Sequence, residues 1–205
     1  MEFDVNDLSV ARGGLSVLTG VSFRLLSGQA LILRGPNGSG KTTLLRTLAG
    51  LQNPQHGTIS APAESIAYGA HADGIKSTLS VAENLAFWAD IYVTGMTDAA
   101  LAGFDLQSLA GRRANNLSAG QKRRLGLARM LVTGRPIWLL DEPTVSLDAK
   151  GRTQFESAVR RHLDGGGIAV IATHVDIAVQ ATTLDIGQFR TPMTAIASSF
   201  DEAFL

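Results

Sequence analysis

The segment Gly35-Pro36-Asn37-Gly38-Ser39-Gly40-Lys41-Thr42-Thr43 has the residue types and spacing to hold a polyphosphate. It fits the pattern G-x-x-x-x-G-K-[ST]. Successive backbone N–H groups in a glycine-rich turn make a concave nest for an anion, and a helix starting at the turn adds the positive end of its dipole. Gly35, Gly38 and Gly40 let the backbone take positive φ and approach the ligand closely. Lys41 would reach the β- and γ-phosphates, and the Thr42 hydroxyl would ligate Mg²⁺. The chemistry indicated is binding of a nucleoside triphosphate with its divalent cation.

Three further groups carry chemistry. Asp141 and Glu142 close the apolar run Ile137-Trp138-Leu139-Leu140. Ligands of open parallel sheets gather at the carboxyl ends of strands, so Asp141 is placed to hold Mg²⁺ and Glu142 to polarise a water against the γ-phosphate. An acidic turn after a strand would be ordinary by itself; the phosphate loop upstream gives it a role. His174 ends another apolar run and would face the same sheet edge, where a ring nitrogen can hydrogen-bond the γ-phosphate. Ser118-Ala119-Gly120-Gln121 opens a helix, with Ser118 and Gln121 spaced as a capping box. Its first-turn N–H groups form a second anion site. It lies far along the chain from the phosphate loop, which raises service to another molecule's nucleotide as an alternative to a plain cap.

The elements that must position these groups follow from periodicity. Ala30-Leu31-Ile32-Leu33 is strand-sized and precedes the loop; Thr43 to Ala49 has helical spacing and ends at Gly50. Residues 1–34 otherwise read as short antiparallel strands: Phe3-Asp4-Val5, Leu8-Ser9-Val10, Val17-Leu18 and Val21 to Leu25, with turns at Gly13-Gly14 and Ser27-Gly28. Thr58-Ile59-Ser60 and Ser65 to Tyr68 are strand candidates, and 69–80 is loop. Residues 81–133 read as helical. Val81, Leu85, Trp88 and Tyr92 form a stripe, Thr97 to Leu109 a second helix, and the segment after Ser118 a third. Asp148 to Leu163 is a helix and Ile168 to Ala172 a buried strand. Strands alternating with helices predict an α/β fold, a parallel sheet with crossover helices and an added antiparallel layer. We expect one domain over 1–205, with a core and β layer at about 1–74 and 134–187, a helical subdomain at about 75–133, and a loosely helical or partly disordered tail at 188–205.

Composition limits the function classes. The formal net charge is zero over 205 residues, so no basic surplus points to nucleic acid or anionic lipid. There is no cysteine, which removes disulfide frameworks and thiolate metal sites. No apolar run is long enough to span a membrane, and the acidic start Met1-Glu2-Phe3-Asp4 lacks the plan of a secretion signal.

The order Gly35 to Thr42, Leu117 to Gln121, Leu139 to Pro143, Ser146-Leu147-Asp148, then His174 resembles the ATP-binding subunit of an ABC transporter over about residues 3–187. The resemblance implies two such chains closing head to tail on two ATP molecules with Mg²⁺. Ser118 and Gly120 of one protomer would contact the γ-phosphate held by Gly38, Gly40 and Lys41 of the other. Glu142 would be the catalytic base and Asp148 would communicate across the interface. Membrane-embedded subunits are the implied partners. Two positions depart from the family. Arg12 stands where an aromatic residue usually stacks on adenine; a guanidinium plane can also stack on a base, with weaker base selectivity expected. His71, in Gly69 to Lys76, stands where a glutamine is usual and adds pH sensitivity. That histidine, the text Gly74-Ile75-Lys76, Glu83-Asn84-Leu85 and the Leu-Ser-Ala-Gly-Gln signature are similar to one branch, the ATPase subunit of the bacterial haem exporter used in cytochrome c maturation. The branch implies a peripheral subunit on the cytoplasmic face of the inner membrane.

Two other classes share the phosphate loop. Non-transport relatives, in translation or DNA repair, carry paired domains or a long coiled coil. Phosphate-loop kinases and GTPases lack the Leu117 to Gln121 signature. Phe87 and Trp88 admit two readings, core packing of the helical subdomain or the lining of a groove for a membrane partner's helix.

Overall fold

The computed structural model describes residues 1–191. Its centre is a five-stranded parallel sheet in the order β5 (Ile66–Gly69), β6 (Ile137–Asp141), β7 (Ile168–Ala172), β3 (Ala30–Arg34), β8 (Thr182–Asp185). The central strands read as unbroken apolar runs because both faces of the sheet are covered. Alternate residues of each strand go to opposite faces. Ile32, Trp138, Leu140, Ala169 and Ile171 enter one core, with Phe155, Val159 and the helical segment. Leu31, Leu33, Ile137, Leu139, Ile168 and Val170 enter the other, with Leu44, Leu45, Leu48 and the antiparallel layer.

That layer is a three-stranded antiparallel sheet, β2 (Leu15–Leu26), β1 (Glu2–Arg12), β4 (His56–Ser60). The two short segments expected over 3–10 are one strand, interrupted at Asn6-Asp7 by a register shift with Asp7 at φ 49°. The irregularity bends and twists the strand locally without ending it. Val17-Leu18 and Val21 to Leu25 merge in the same way around Gly20.

Helix α1 (Lys41–Leu48) crosses from the phosphate loop. Helices α2 (Val81–Tyr92), α3 (Thr97–Gly103) and α4 (Ala119–Val132) form the helical segment, and α5 (Ala149–Asp164) covers the sheet. The helix expected over Thr97 to Leu109 ends at Gly103. Asp105 takes φ 52°, and a single 3₁₀ turn follows at Gln107–Leu109. Buried Asn84 anchors the preceding loop: its side chain donates to the carbonyls of Lys76, Leu79 and Ser80 and accepts from the Lys76 N–H at 2.8 Å. Of the expected tail, Gln188 and Phe189 close a 3₁₀ turn, Arg190 bridges to Leu18, and the Thr191 N–H donates to the Val17 carbonyl at 3.2 Å; 192–205 lie outside the described residues.

His162 on α5 ties the sheet from below. Its ring stacks on Trp138, with centroids 3.9 Å apart and planes at 13°, and Nε2 lies 3.1 Å from the Ile168 carbonyl oxygen. Burial lowers its pKa against the opposing pull of the Ile168 and Pro136 carbonyls. The unfolded chain therefore binds a proton that the folded chain resists. Stability from this neutral histidine is full above the ordinary value of 6.5 and is lost as pH falls through it toward the lower folded value. We expect His162→Gln to reduce the drop in Tm between about pH 7.5 and about pH 5.5; an undiminished drop in thermal melts would refute this.

Candidate active site

The phosphate loop joins β3 to α1. Its tight path requires glycine at position 40, where φ is 101° and an added Cβ would lie 2.8 Å from Val17 Cγ1 of the antiparallel layer. That contact sets the layer directly over the loop. Arg12, Val17, Asn37, Gly38, Ser39, Gly40, Lys41, Thr42, Thr43, Asp141 and Glu142 line one cleft of about 240 Å³.

Lys41 is 7% exposed. Its ammonium group donates to the carbonyls of Gly35 at 2.7 Å and Pro36 at 3.2 Å, and lies 3.0 Å from His174 Nε2. Burial lowers the Lys41 pKa, opposed by the nearby Glu142 and Asp141 carboxylates. The His174 nitrogen is also 3.3 Å from Glu142 Oε1. That oxygen is buried without an aligned hydrogen-bond donor. Lys41, His174 and Glu142, far apart in sequence, thus converge at one point beside the phosphate loop.

Asp141 is 2% exposed, and its Oδ2 accepts a 3.4 Å hydrogen bond from the Tyr68 hydroxyl. Burial and the Asp141 charge push the Tyr68 pKa up to about 12, so the phenol keeps its proton and donates. Asp141 and the Thr42 hydroxyl on the same cleft are hard oxygen donors, a set that fits Mg²⁺.

The chain matches the ABC transporter family profile over residues 18–145. It is 60% identical over 206 residues to the cytochrome c biogenesis ATP-binding export protein CcmA of Roseobacter denitrificans, covering 100% of both chains. It is 59% identical to the protein of the same description from Rhodobacter capsulatus, with 98% of each chain covered. The chain belongs to the ABC transporter family, among the cytochrome c biogenesis ATP-binding export proteins. Its fold is that of solved ABC ATPases. An ABC transporter ATP-binding protein from Pyrococcus furiosus superposes with TM-score 0.83 at 24% identity, covering 93% of this chain and 100% of that one. The ATP-binding cassette MJ0796, in a dimeric post-hydrolysis state with ADP and Pi, gives 0.78 at 22% identity, over 90% of this chain and 95% of that one.

The other candidate residues of this ABC ATPase lie outside its cleft. Ser118 caps α4: its Oγ accepts from the Gln121 N–H at 3.2 Å, and Gln121 Oε1 accepts from the Ser118 N–H at 2.9 Å. Gly120 sits against the Ser146 carbonyl, which an added Cβ would meet at 3.0 Å. Asp148 caps α5 by accepting from the Gly151 N–H at 2.7 Å. Neither Ser118, Gly120 nor Asp148 lines the cleft beside the phosphate loop. The His71 ring is exposed and likewise stands off the cleft lining.

Sequence reasoning missed Arg123 of α4, which is 5% exposed. Its guanidinium donates to the carbonyls of Asp141, Glu142 and Pro143 on one side. On the other it reaches the carbonyls of Ala70 and His71 and, at 2.9 Å, Asp73 Oδ1. One side chain therefore links the acidic end of β6 to the loop bearing His71. Glycine at 126, one turn further along α4, admits that loop: a Cβ there would lie 2.8 Å from Asp73 Cβ. The clamp also restrains Glu142, whose φ of 47° is a left-handed conformation rare for a residue with a side chain. No local spacing marked it, because its partners lie 18 to 53 residues away along the chain.

Proposed function

We propose that this chain is the ATP-hydrolysing subunit of a bacterial haem exporter serving cytochrome c maturation. The observation that carries the reading is the convergence of Lys41, His174 and Glu142 at a phosphate loop in a chain 60% identical, end to end, to a cytochrome c biogenesis ATP-binding export protein. ATP phosphates enter the nest of Gly35, Pro36, Asn37, Gly38, Ser39 and Gly40, with Thr43 behind it. Lys41 exchanges its contacts with Gly35, Pro36 and His174 for phosphate oxygens. Arg12 stacks on the base. Thr42 and Asp141 would hold Mg²⁺, which would supply compensation for phosphate charge. Glu142 takes the proton of the water that attacks γ-phosphorus as the bond to the ADP oxygen breaks. His174, released from Lys41, hydrogen-bonds the γ-phosphate.

Ser118, Gly120 and Gln121 serve the nucleotide of a second protomer, and Asp148 lies at that interface. The partners on the other side are membrane-embedded, haem-handling subunits, and the chain works peripherally at the cytoplasmic face of the inner membrane. No helix among the described residues is long and apolar enough to cross a membrane. Leu51, Phe87 and Ile91 are exposed beside Trp88 and Tyr92, and they supply an apolar surface for such a partner. His71 couples partner to site through the loop that Arg123 holds.

Lys41→Ala tests the nucleotide half of this reading. Loss of two charge-assisted contacts, about 3 kcal/mol in all, predicts ATP affinity weaker by roughly 10²-fold; unchanged binding of a fluorescent ATP analogue would contradict it. Affinity purification of the wild-type chain from membranes tests the transport half through co-purified haem-handling subunits.

A further inference from the structure

His174 sits on the short loop after β7, and the loop's attachment decides where its ring stands. On one side Thr173 Oγ1 accepts from the Val175 N–H at 3.1 Å. On the other, Arg34, the residue immediately before the phosphate loop, reaches across from β3. Its Nη1 donates to the Thr173 carbonyl at 3.0 Å and its Nη2 to Asp176 Oδ1 at 2.6 Å. These two contacts bracket His174 in sequence. The ring between them lies 3.0 Å from Lys41 Nζ and 3.3 Å from Glu142 Oε1. Arg34 does not line the nucleotide cleft.

We infer that Arg34 is a positioning residue for His174. It fixes the loop after β7 to the strand that carries the phosphate loop, so the histidine ring and the phosphates share one frame. The energetics favour this over a stabilising role. The Asp176 side chain is fully exposed, and a pair with such a partner contributes little to stability. What the fork does supply is direction: two parallel donors on a planar group hold two acceptors in a fixed relation. A loop of four residues, Thr173 to Asp176, held at both ends leaves the ring little freedom. A displacement of about 1 Å in a group that meets the reacting phosphate can cost up to about 10²-fold in rate.

The inference rests on His174 acting at the γ-phosphate, so the experiment separates the two. Arg34→Met, Asp176→Asn and His174→Ala are made singly, with Arg34→Met also combined with His174→Ala. We expect Arg34→Met to lower kcat by about 10-fold with KM for ATP nearly unchanged, and Asp176→Asn to lower it less, because the Thr173 contact remains. In the His174→Ala background Arg34→Met adds nothing. In nucleotide-free protein, the ring nitrogen resonances of His174 shift in Arg34→Met as the ring leaves Lys41. Equal kcat losses in both backgrounds, or a loss of nucleotide affinity in place of kcat, would overturn the inference. So would unmoved ring resonances. If His174→Ala itself turns over at the wild-type rate, the role given to His174 falls, and the resonances still decide whether Arg34 places the ring. Asp176→Asn, altering an exposed side chain, reads the same effect should Arg34→Met fold poorly.

Discussion

Glu142→Gln should bind ATP as tightly as the wild-type chain and hydrolyse it about 10³-fold more slowly, the range expected when a general base is removed. The substitution keeps the size of the side chain and the contacts of its backbone, whose carbonyl Arg123 holds at 2.8 Å and whose N–H donates to the Ala172 carbonyl at 2.9 Å. It removes the negative charge 3.3 Å from His174 Nε2 and with it the acceptor for a proton. Because a carboxylate beside bound phosphates is repelled by them, affinity should hold or rise. With hydrolysis blocked, ATP should accumulate a closed dimer, visible by size-exclusion chromatography, that the wild-type chain populates only transiently. Turnover within about 10-fold of wild type would remove Glu142 from the role of base.

Arg123→Met should strongly destabilise the fold. Methionine replaces the aliphatic stem but leaves five carbonyl oxygens and the Asp73 carboxylate without their shared donor. Breaking a buried charged cluster from one side costs about 3–5 kcal/mol. For a chain of this size that corresponds to a fall in Tm of about 10 °C. Arg123→Lys should recover only part of it, since one ammonium group cannot reach both sides of the clamp. The effect should extend to rate, because Glu142 holds its left-handed backbone against the preference of a side-chain residue. A variant melting within about 2 °C of wild type would show that the clamp is not structural.

Much of the site was legible from local chemistry. The phosphate loop was readable because its conformation is dictated by glycines close together in sequence, and the capping box at Ser118 because both partners lie within one turn. The buried strands were readable because full burial writes an unbroken apolar run. Other elements escaped for reasons of the same kind. Strand β8 is short, polar and at the sheet edge, so Thr182–Asp185 carries no strand pattern. The bulged β1 looked like two strands because a register shift resets the alternation at Asn6-Asp7. The end of α3 depended on backbone conformation at Asp105, which no periodicity records.

Neighbouring residues alone encode the phosphate-loop pattern of Gly35 to Thr43 and the alternation of strands and helices around it. The individual contacts that these side chains make come from the folded chain. Lys41 finds His174 across 133 residues, Tyr68 finds Asp141 across 73, and Arg123 finds Asp73 across 50. Such pairings are settled by strand order, by the glycine at 126 that admits a loop against α4, and by which polar groups burial leaves in need of a partner. Those are properties of packing, and no spacing within the chain encodes them.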